Sequence, residues 1–316
     1  MDTVIEKSAS SRQKNQIKTK RLWREIIFFA VIAGIPLLQF CVFYIGVNVN
    51  SIMLAFKSYD AYSGQYTFVG LTNFSRFFTE WKTDTLFITS LKNSLIAWVM
   101  TFGIGTTLGL VFAYYIAKKR FLSSLFKIIL FLPNVVSGIV LVVIFKAFTD
   151  SAIPAILTAI DGKVHLGLIQ NPATTFGTVI FYNIWIGFGV NILMYSGAMS
   201  GIDESLFEAA KMDGAGPVRE FFNIVLPLVY PTIVVFFTAG IAGLFTNQLN
   251  LYSFFGEGTQ VKHYTFGYYL YNRVQTDLTG SNFGYLSAIG ILITLVVAPI
   301  TFISRKLLTK FGPSEE

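Results

Sequence analysis

Asp203-Glu204-Ser205-Leu206-Phe207-Glu208-Ala209-Ala210-Lys211-Met212-Asp213-Gly214-Ala215-Gly216-Pro217, which runs on to Ile224-Val225-Leu226-Pro227, is the most informative stretch of this sequence. Ser205 and Glu208 have capping-box spacing, in which each side chain satisfies a backbone amide at the start of a helix. That spacing predicts a helix over about residues 206 to 213. Gly214 or Gly216 supplies the positive φ that ends it, and Pro217 suits the first turn of a second helix. Leu206, Phe207, Ala209, Ala210 and Met212 make the first helix largely apolar, so something should cover it. Taken by itself, such a helix lies on lipid headgroups or on its own bundle more often than it docks a partner.

On both sides of this loop lie long apolar runs without a single Asp, Glu, Lys, Arg or His. There are six: 26–47, 95–116, 128–145, 176–200, 224–246 and 285–303. A bilayer core about 30 Å thick needs roughly 20 helical residues, so the fold class is an all-α polytopic membrane protein with six transmembrane helices. The first run is too long for the apolar part of a signal peptide and no small-residue cleavage site closes it, which makes it a retained anchor. Composition agrees. The chain is 53% apolar and only 13% charged over 316 residues, with a mean hydropathy of +0.61, whereas a soluble surface requires about 25% charged residues. A soluble enzyme and a disordered chain are both excluded.

The net charge of +7 lies in tails and short loops beside the apolar runs, as orientation signals do, and not in a nucleic-acid-binding patch. The tail 1–25 and loops 117–127, 201–223 and 304–316 hold 16 Lys and Arg in 72 residues, whereas loops 48–94, 146–175 and 247–284 hold 8 in 115. Positive residues are retained on the cytoplasmic side. Both termini and the 201–223 loop are therefore expected in the cytoplasm, although that loop has five acids against two bases.

The chemistry available to the chain is narrow. Cys41 and the separated His165 and His263 offer neither a disulfide framework nor a clustered metal site. Uncharged spans disfavour an ion-coupled secondary transporter, which usually places ionisable groups inside the bilayer, although unwound backbone can bind sodium without them. An intramembrane enzyme would need His, Asp or Glu in its spans. The only Gly-Lys pair, Gly162-Lys163, is followed by Val164 and makes no Walker loop, so energy for uphill transport must enter through another subunit.

The pattern Glu208-Ala209-Ala210, Gly214, Ile224 and Leu226-Pro227 resembles, without a gap, the EAA signature of permease subunits of ATP-binding-cassette importers. Phe68-Val69-Gly70-Leu71-Thr72-Asn73-Phe74 is similar to a segment of the first permease in the maltose and glycerol-phosphate branch, and Leu132-Pro133, Trp185 and Gly187 also sit where that branch has them. The resemblance covers nearly the whole chain. It implies the type I importer fold, with five core helices and an N-terminal helix packed across a partner permease, in the cell membrane of a prokaryote. It also implies that the loop helix is a coupling helix, with Glu208, Ala209, Ala210, Asp213 and Gly214 meeting an ATPase subunit. The implied partners are a second permease, two ATP-binding subunits that carry ATP and Mg, an external solute-binding protein, membrane lipid and a carbohydrate. No cofactor in the chain itself and no nucleic acid are implied.

A path for a hydroxylated solute needs amides to replace water and aromatic faces to stack on sugar rings. At about 100° per residue, Asn183, Gly187, Asn191 and Tyr195 share one helical stripe, while Trp185 faces the other way. Helix packing explains that stripe equally well. The resemblance maps the branch's sugar-contacting positions onto Asn183, Gly187, Val190, Gly240, Gly243, Leu244 and Asn247. Val190 and Gly243 stand where the maltose permease has aromatics, so its maltose site is not reproduced. The Gly105 to Gly109 pair is expected to allow close helix approach, and Pro133 and Pro227 to kink their spans. Tyr62, Tyr66, Trp81, Tyr264, Tyr268, Tyr269 and Tyr271 are assigned to interfacial belts, with contact to an external binding protein as the alternative.

Overall fold

The computed structural model describes residues 23–313. Six helices in it are long and apolar enough to cross a membrane: α1 (Trp23–Ala55), α3 (Thr85–Ala117), α5 (Gly138–Asp161), α6 (Thr175–Ser200), α8 (Pro217–Ala242) and α11 (Phe283–Phe311). Shorter elements join them. A two-stranded antiparallel hairpin, β1 (Lys57–Asp60) and β2 (Gln65–Phe68), and α2 (Thr72–Glu80) follow α1. The short helices α4 (Ser123–Asn134), α7 (Glu204–Met212), α9 (Leu251–Phe255) and α10 (Phe266–Thr276) complete the chain. Residues 1–22 of the basic tail 1–25, and residues 314–316, lie outside the described part.

The helices do not coincide with the uncharged runs. Helix α3 starts at Thr85 rather than 95, because the Asp84 carboxylate caps it by accepting from the Leu86 and Phe87 amides at 2.9 and 3.1 Å. The expected third span, 128–145, is interrupted. Leu132-Pro133-Asn134 form a tight 3₁₀ turn at the end of α4, and α5 begins afresh at Gly138 and runs on to Asp161. Proline has no amide proton to continue the ladder. The fifth span ends at Ala242 rather than 246, where the chain breaks into turns over residues 243–250.

Helix α6 is the centre of the bundle and packs along α3 over most of its length. Small residues permit this. A Cβ placed on Gly109 would lie 3.3 Å from Asn191 Cβ and 3.4 Å from the Tyr195 ring, so the glycine pair expected to bring helices together does so against α6. Gly189 performs the same service on the opposite face of α6, where a Cβ would stand 2.6 Å from the Leu130 carbonyl of α4.

Among the described residues the two larger buried clusters sit towards opposite ends of the bundle, with a smaller one of Ile116, Phe188 and Ile192 beside α4. One of the larger pair, rich in aromatics, gathers Phe87, Tyr182, Phe254, Phe266, Tyr268 and Tyr269 at the end that carries residues 247–284. The other joins Leu110, Ala113, Tyr195, Met199, Val225 and Val229 towards the 201–223 loop. Tyr264, Tyr268 and Tyr269 are buried, so these three members of the expected interfacial belts are core residues instead, whereas Tyr62 is fully exposed on the hairpin turn. The apolar first part of helix α1 buries no residue within the chain, and only its end, at Leu54 and Ala55, packs against α11 and α2. Such a helix is at home in lipid, where its backbone bonds are satisfied internally, or against another subunit.

Candidate translocation cavity and coupling helix

Between α3, α6 and the end of α8 lies a cavity of about 380 Å³. Helix α6 contributes Asn183, Gly187 and Asn191, and the α8 end contributes Gly240, Gly243, Leu244 and Asn247. These residues, expected along a solute path, are therefore brought together. Val190 is not among the lining residues. Nor is Tyr195, whose ring packs against Phe236 at 5.2 Å in the second cluster. One helical stripe carries all four α6 positions, but Gly109 and Phe236 close over the Tyr195 end of it.

Asn183 is occupied. Its Nδ2 donates to the Val179 and Leu249 carbonyls at 2.8 and 2.9 Å, and its Oδ1 accepts from Asn250 Nδ2 at 2.8 Å. Leu249 and Asn250 have φ of 51° and 56°, a left-handed conformation uncommon for leucine. Asn183 thus holds the turn after α8 in shape. Asn247 braces the same turn by accepting from the Leu249 amide at 2.8 Å, while its own carbonyl accepts from Thr265 Oγ1 at 3.1 Å.

The aromatic wall comes from α3, a helix outside the expected solute path. Trp98 and Phe102 of α3 line the cavity, stacked at 5.8 Å with an interplanar angle of 13°. Phe237 of α8 packs edge-on to both rings. The indole presses on α8 where it has no side chain, since a Cβ on Gly240 would lie 2.7 Å from Trp98 Nε1. Ser94, Trp98, Thr101, Phe102 and Gly105 recur at spacings of three and four, one face of a largely apolar helix, and that spacing is the signal the sequence offers. Trp185 does face away from the cavity, against Phe145 and Tyr182.

The 201–223 loop folds as a helix, a sharp turn and a second helix. Its cap is Asp203 rather than Ser205: the carboxylate accepts from the Ser205 amide at 2.9 Å, and the helix starts at Glu204. Hydrogen bonds from the Ser205 amide and then its side chain hold the Asp203 carboxyl below its ordinary range. At the other end Gly214 has φ of 71°. The Ala215 amide donates to the Ala210 carbonyl at 2.9 Å and Gly214 to Lys211 at 3.1 Å, the paired bonds of a Schellman stop. Gly216 is extended and Pro217 opens α8. Leu206, Glu208, Ala209, Met212, Asp213 and Gly214 are exposed, Ala210 is half-buried, and Phe207 turns inward. The helix therefore offers an uncovered face of mixed apolar and acidic character.

Residues 105–313 match the family described as binding-protein-dependent transport system inner membrane component. The chain belongs to this family. It is accordingly a multi-pass permease component of the cell membrane. The arabinooligosaccharides transport system permease protein AraP of Halalkalibacterium halodurans is 26% identical over 95% of this chain and 96% of its own length. The sn-glycerol-3-phosphate transport system permease protein UgpA of Yersinia pseudotuberculosis is 31% identical over 60% of this chain and 64% of its own. The maltose/maltodextrin transport system permease protein MalF of Salmonella typhimurium is 27% identical over 75% of this chain but only 48% of its own. Among solved structures, a chain of a bacterial ABC transporter involved in the import of the acidic polysaccharide alginate superposes with a TM-score of 0.73 at 21% identity, over 92% of this permease and 99% of that chain. This likeness establishes the fold: the all-α architecture expected from the spans is that of an ABC importer permease.

Proposed function

We propose that this permease is one of two membrane subunits of an ATP-binding-cassette importer and that its cargo is a carbohydrate, most simply an oligosaccharide. The observation that carries the reading is the cavity, in which a tryptophan and a phenylalanine stack along one wall and Asn191 and Asn247 stand on the others. Aromatic faces bind the apolar side of sugar rings and amides replace the water on their hydroxyls. The AraP relatives support the class of cargo, and the alginate importer solved with an alginate pentasaccharide-bound periplasmic protein supports delivery by an external binding protein.

In this reading the termini and the 201–223 loop face the cytoplasm, and α7 is the coupling helix. Glu208 and Asp213 supply polar contacts to an ATPase subunit, Ala209 and Ala210 keep the helix slim enough to enter a groove, and the Gly214 stop fixes its angle. ATP and Mg bind to the two ATPase subunits, which do the hydrolysis; this chain is not an enzyme. Closure of the ATPase pair draws the coupling helices of the two permeases together and turns the cavity outward.

The test is ATPase stimulation of the purified complex by its binding protein with a panel of glycans, alongside uptake in vesicles. Stimulation and uptake with an oligosaccharide, both lost on Glu208→Ala in a complex that still assembles, are the expected results. Response only to a solute without sugar rings would overturn the cargo. Uptake driven by a sodium or proton gradient without nucleotide would overturn the importer.

A further inference from the structure

We propose that Lys118, the residue that follows the last turn of α3, is the positioning residue that clasps the coupling helix to the two helices lining the cavity. The inference rests on the reading of α7 as the coupling helix. Lys118 Nζ lies 3.7 Å from the centre of the Phe207 ring, the one α7 side chain that packs into a buried cluster. The same ammonium forms an ion pair with Glu220 Oε1, in the first turn of α8. Tyr114, one helical turn before Lys118, donates its hydroxyl to that carboxylate oxygen at 2.7 Å. One cation therefore touches the coupling helix, the start of α8 and the end of α3.

This geometry suits the transmission of movement better than it suits packing. The side chains of Lys118 and Glu220 are 25% and 13% exposed, so the pair is shielded enough from water to hold its orientation. Beside it lies a cavity of about 290 Å³ lined by Tyr114, Lys118, Met199, Ile202, Phe207 and Val225, which leaves room for Phe207 to swing. Directly after Glu220 the helix widens into a π turn over Phe221–Val225, a departure from regular winding often found at functional sites. Helix α3 carries Trp98 and α8 carries Gly240, the facing walls of the solute cavity. A pull on Phe207 that reaches Lys118 and Glu220 thus reaches both walls.

The experiment uses the full complex in proteoliposomes with its binding protein and reads solute accumulated per ATP hydrolysed. Lys118→Met keeps an unbranched stem over Phe207 but removes the charge. It is expected to lower that ratio about tenfold while complex yield, melting temperature and basal ATPase rate stay close to wild type. Lys118→Arg should restore at least half of the ratio, and combining Lys118→Met with Glu220→Gln should be no worse than either alone, since both break one linkage. Should Lys118→Met fail to assemble, the near-isosteric Glu220→Gln gives the same reading. A wild-type ratio in these variants, with transport still lost in Glu208→Ala, would overturn the clasp and leave the coupling helix standing. If Glu208→Ala also transports normally, the coupling helix falls and the clasp with it.

Discussion

Adding one methyl group at Gly240 should damage solute handling far more than adding one at Gly187, although both glycines line the same cavity. A Cβ on Gly240 would stand 2.7 Å from Trp98 Nε1, whereas ordinary contact begins at 3.4 Å, so the indole must retreat by the difference, 0.7 Å. Phe102 is stacked on the indole and Phe237 packs edge-on, which leaves the cavity as its direction of escape. Overpacking costs about 1 to 3 kcal/mol; because the indole can yield into the cavity the lower part of that range applies, and one to two kcal/mol is a factor of about 5 to 30 in an equilibrium. At Gly187 no atom lies within 4 Å, so an alanine there narrows the cavity without moving anything.

Binding-protein-dependent uptake by the reconstituted complex, measured across solute concentrations, should therefore show Gly240→Ala impaired by about five- to thirtyfold and Gly187→Ala by less than about threefold. Trp98→Phe removes the atom that clashes. Combined with Gly240→Ala it should recover part of the loss, a non-additivity expected of touching residues. Equal effects of the two glycine variants, or strict additivity with Trp98→Phe, would refute the argument that the indole is held by contact with bare backbone.

Four further outcomes follow from the same geometry. Gly214→Ala should impair ATP-driven transport more than Gly214→Asn, because asparagine enters the left-handed region at φ of 71° with less strain, a difference of about 1 kcal/mol read as coupling efficiency in vesicles. Asn183→Ala should lower the melting temperature of the detergent-solubilised protein by leaving the half-buried Leu249 carbonyl and Asn250 Nδ2 without their partner, at about 1 kcal/mol for each bond lost. Gly284→Ala should prevent stable folding altogether, since its Cβ would overlap the Lys57 carbonyl and approach Leu54 O at 3.1 Å, both of them backbone atoms; expression of the intact protein checks it. Burial, and then the neighbouring Lys262 charge, lower the pKa of His263 from 6.5. The folded chain then takes up this proton at lower pH than the unfolded chain does. The contribution to stability is complete above 6.5 and is lost as the pH falls towards the lowered value, so His263→Gln should flatten the thermal stability profile across that interval.

What could be read in advance divides along physical lines. The number of spans though not their bounds, the helix-turn-helix of the 201–223 loop, the Pro217 start and the stop at the first of two candidate glycines are local. They depend on runs of uncharged side chains and on backbone preferences within a few residues, and the sequence contains that information in order. The cap lies at Asp203, two residues before Ser205; both are good N-cap types and only the backbone direction chooses between them.

Three properties were decided by tertiary packing. Tyr195 shares a helical stripe with Asn191 but is walled off from the cavity, since a stripe fixes direction around one helix and not which neighbour closes over it. Trp98 became the cavity's aromatic wall because α3 lies along α6 at the Gly105 and Gly109 contacts; the glycine spacing allows a close approach but does not specify which helix makes it. Glu220 and Phe207 lie on two helices and Lys118 at the end of a third, and Lys118 and Glu220 are about a hundred positions apart. By itself the sequence determined what each segment is, because bilayer solvation and backbone sterics act within a segment. Only the folded bundle decided which side chains share a space, because that depends on how closely helices distant in sequence approach.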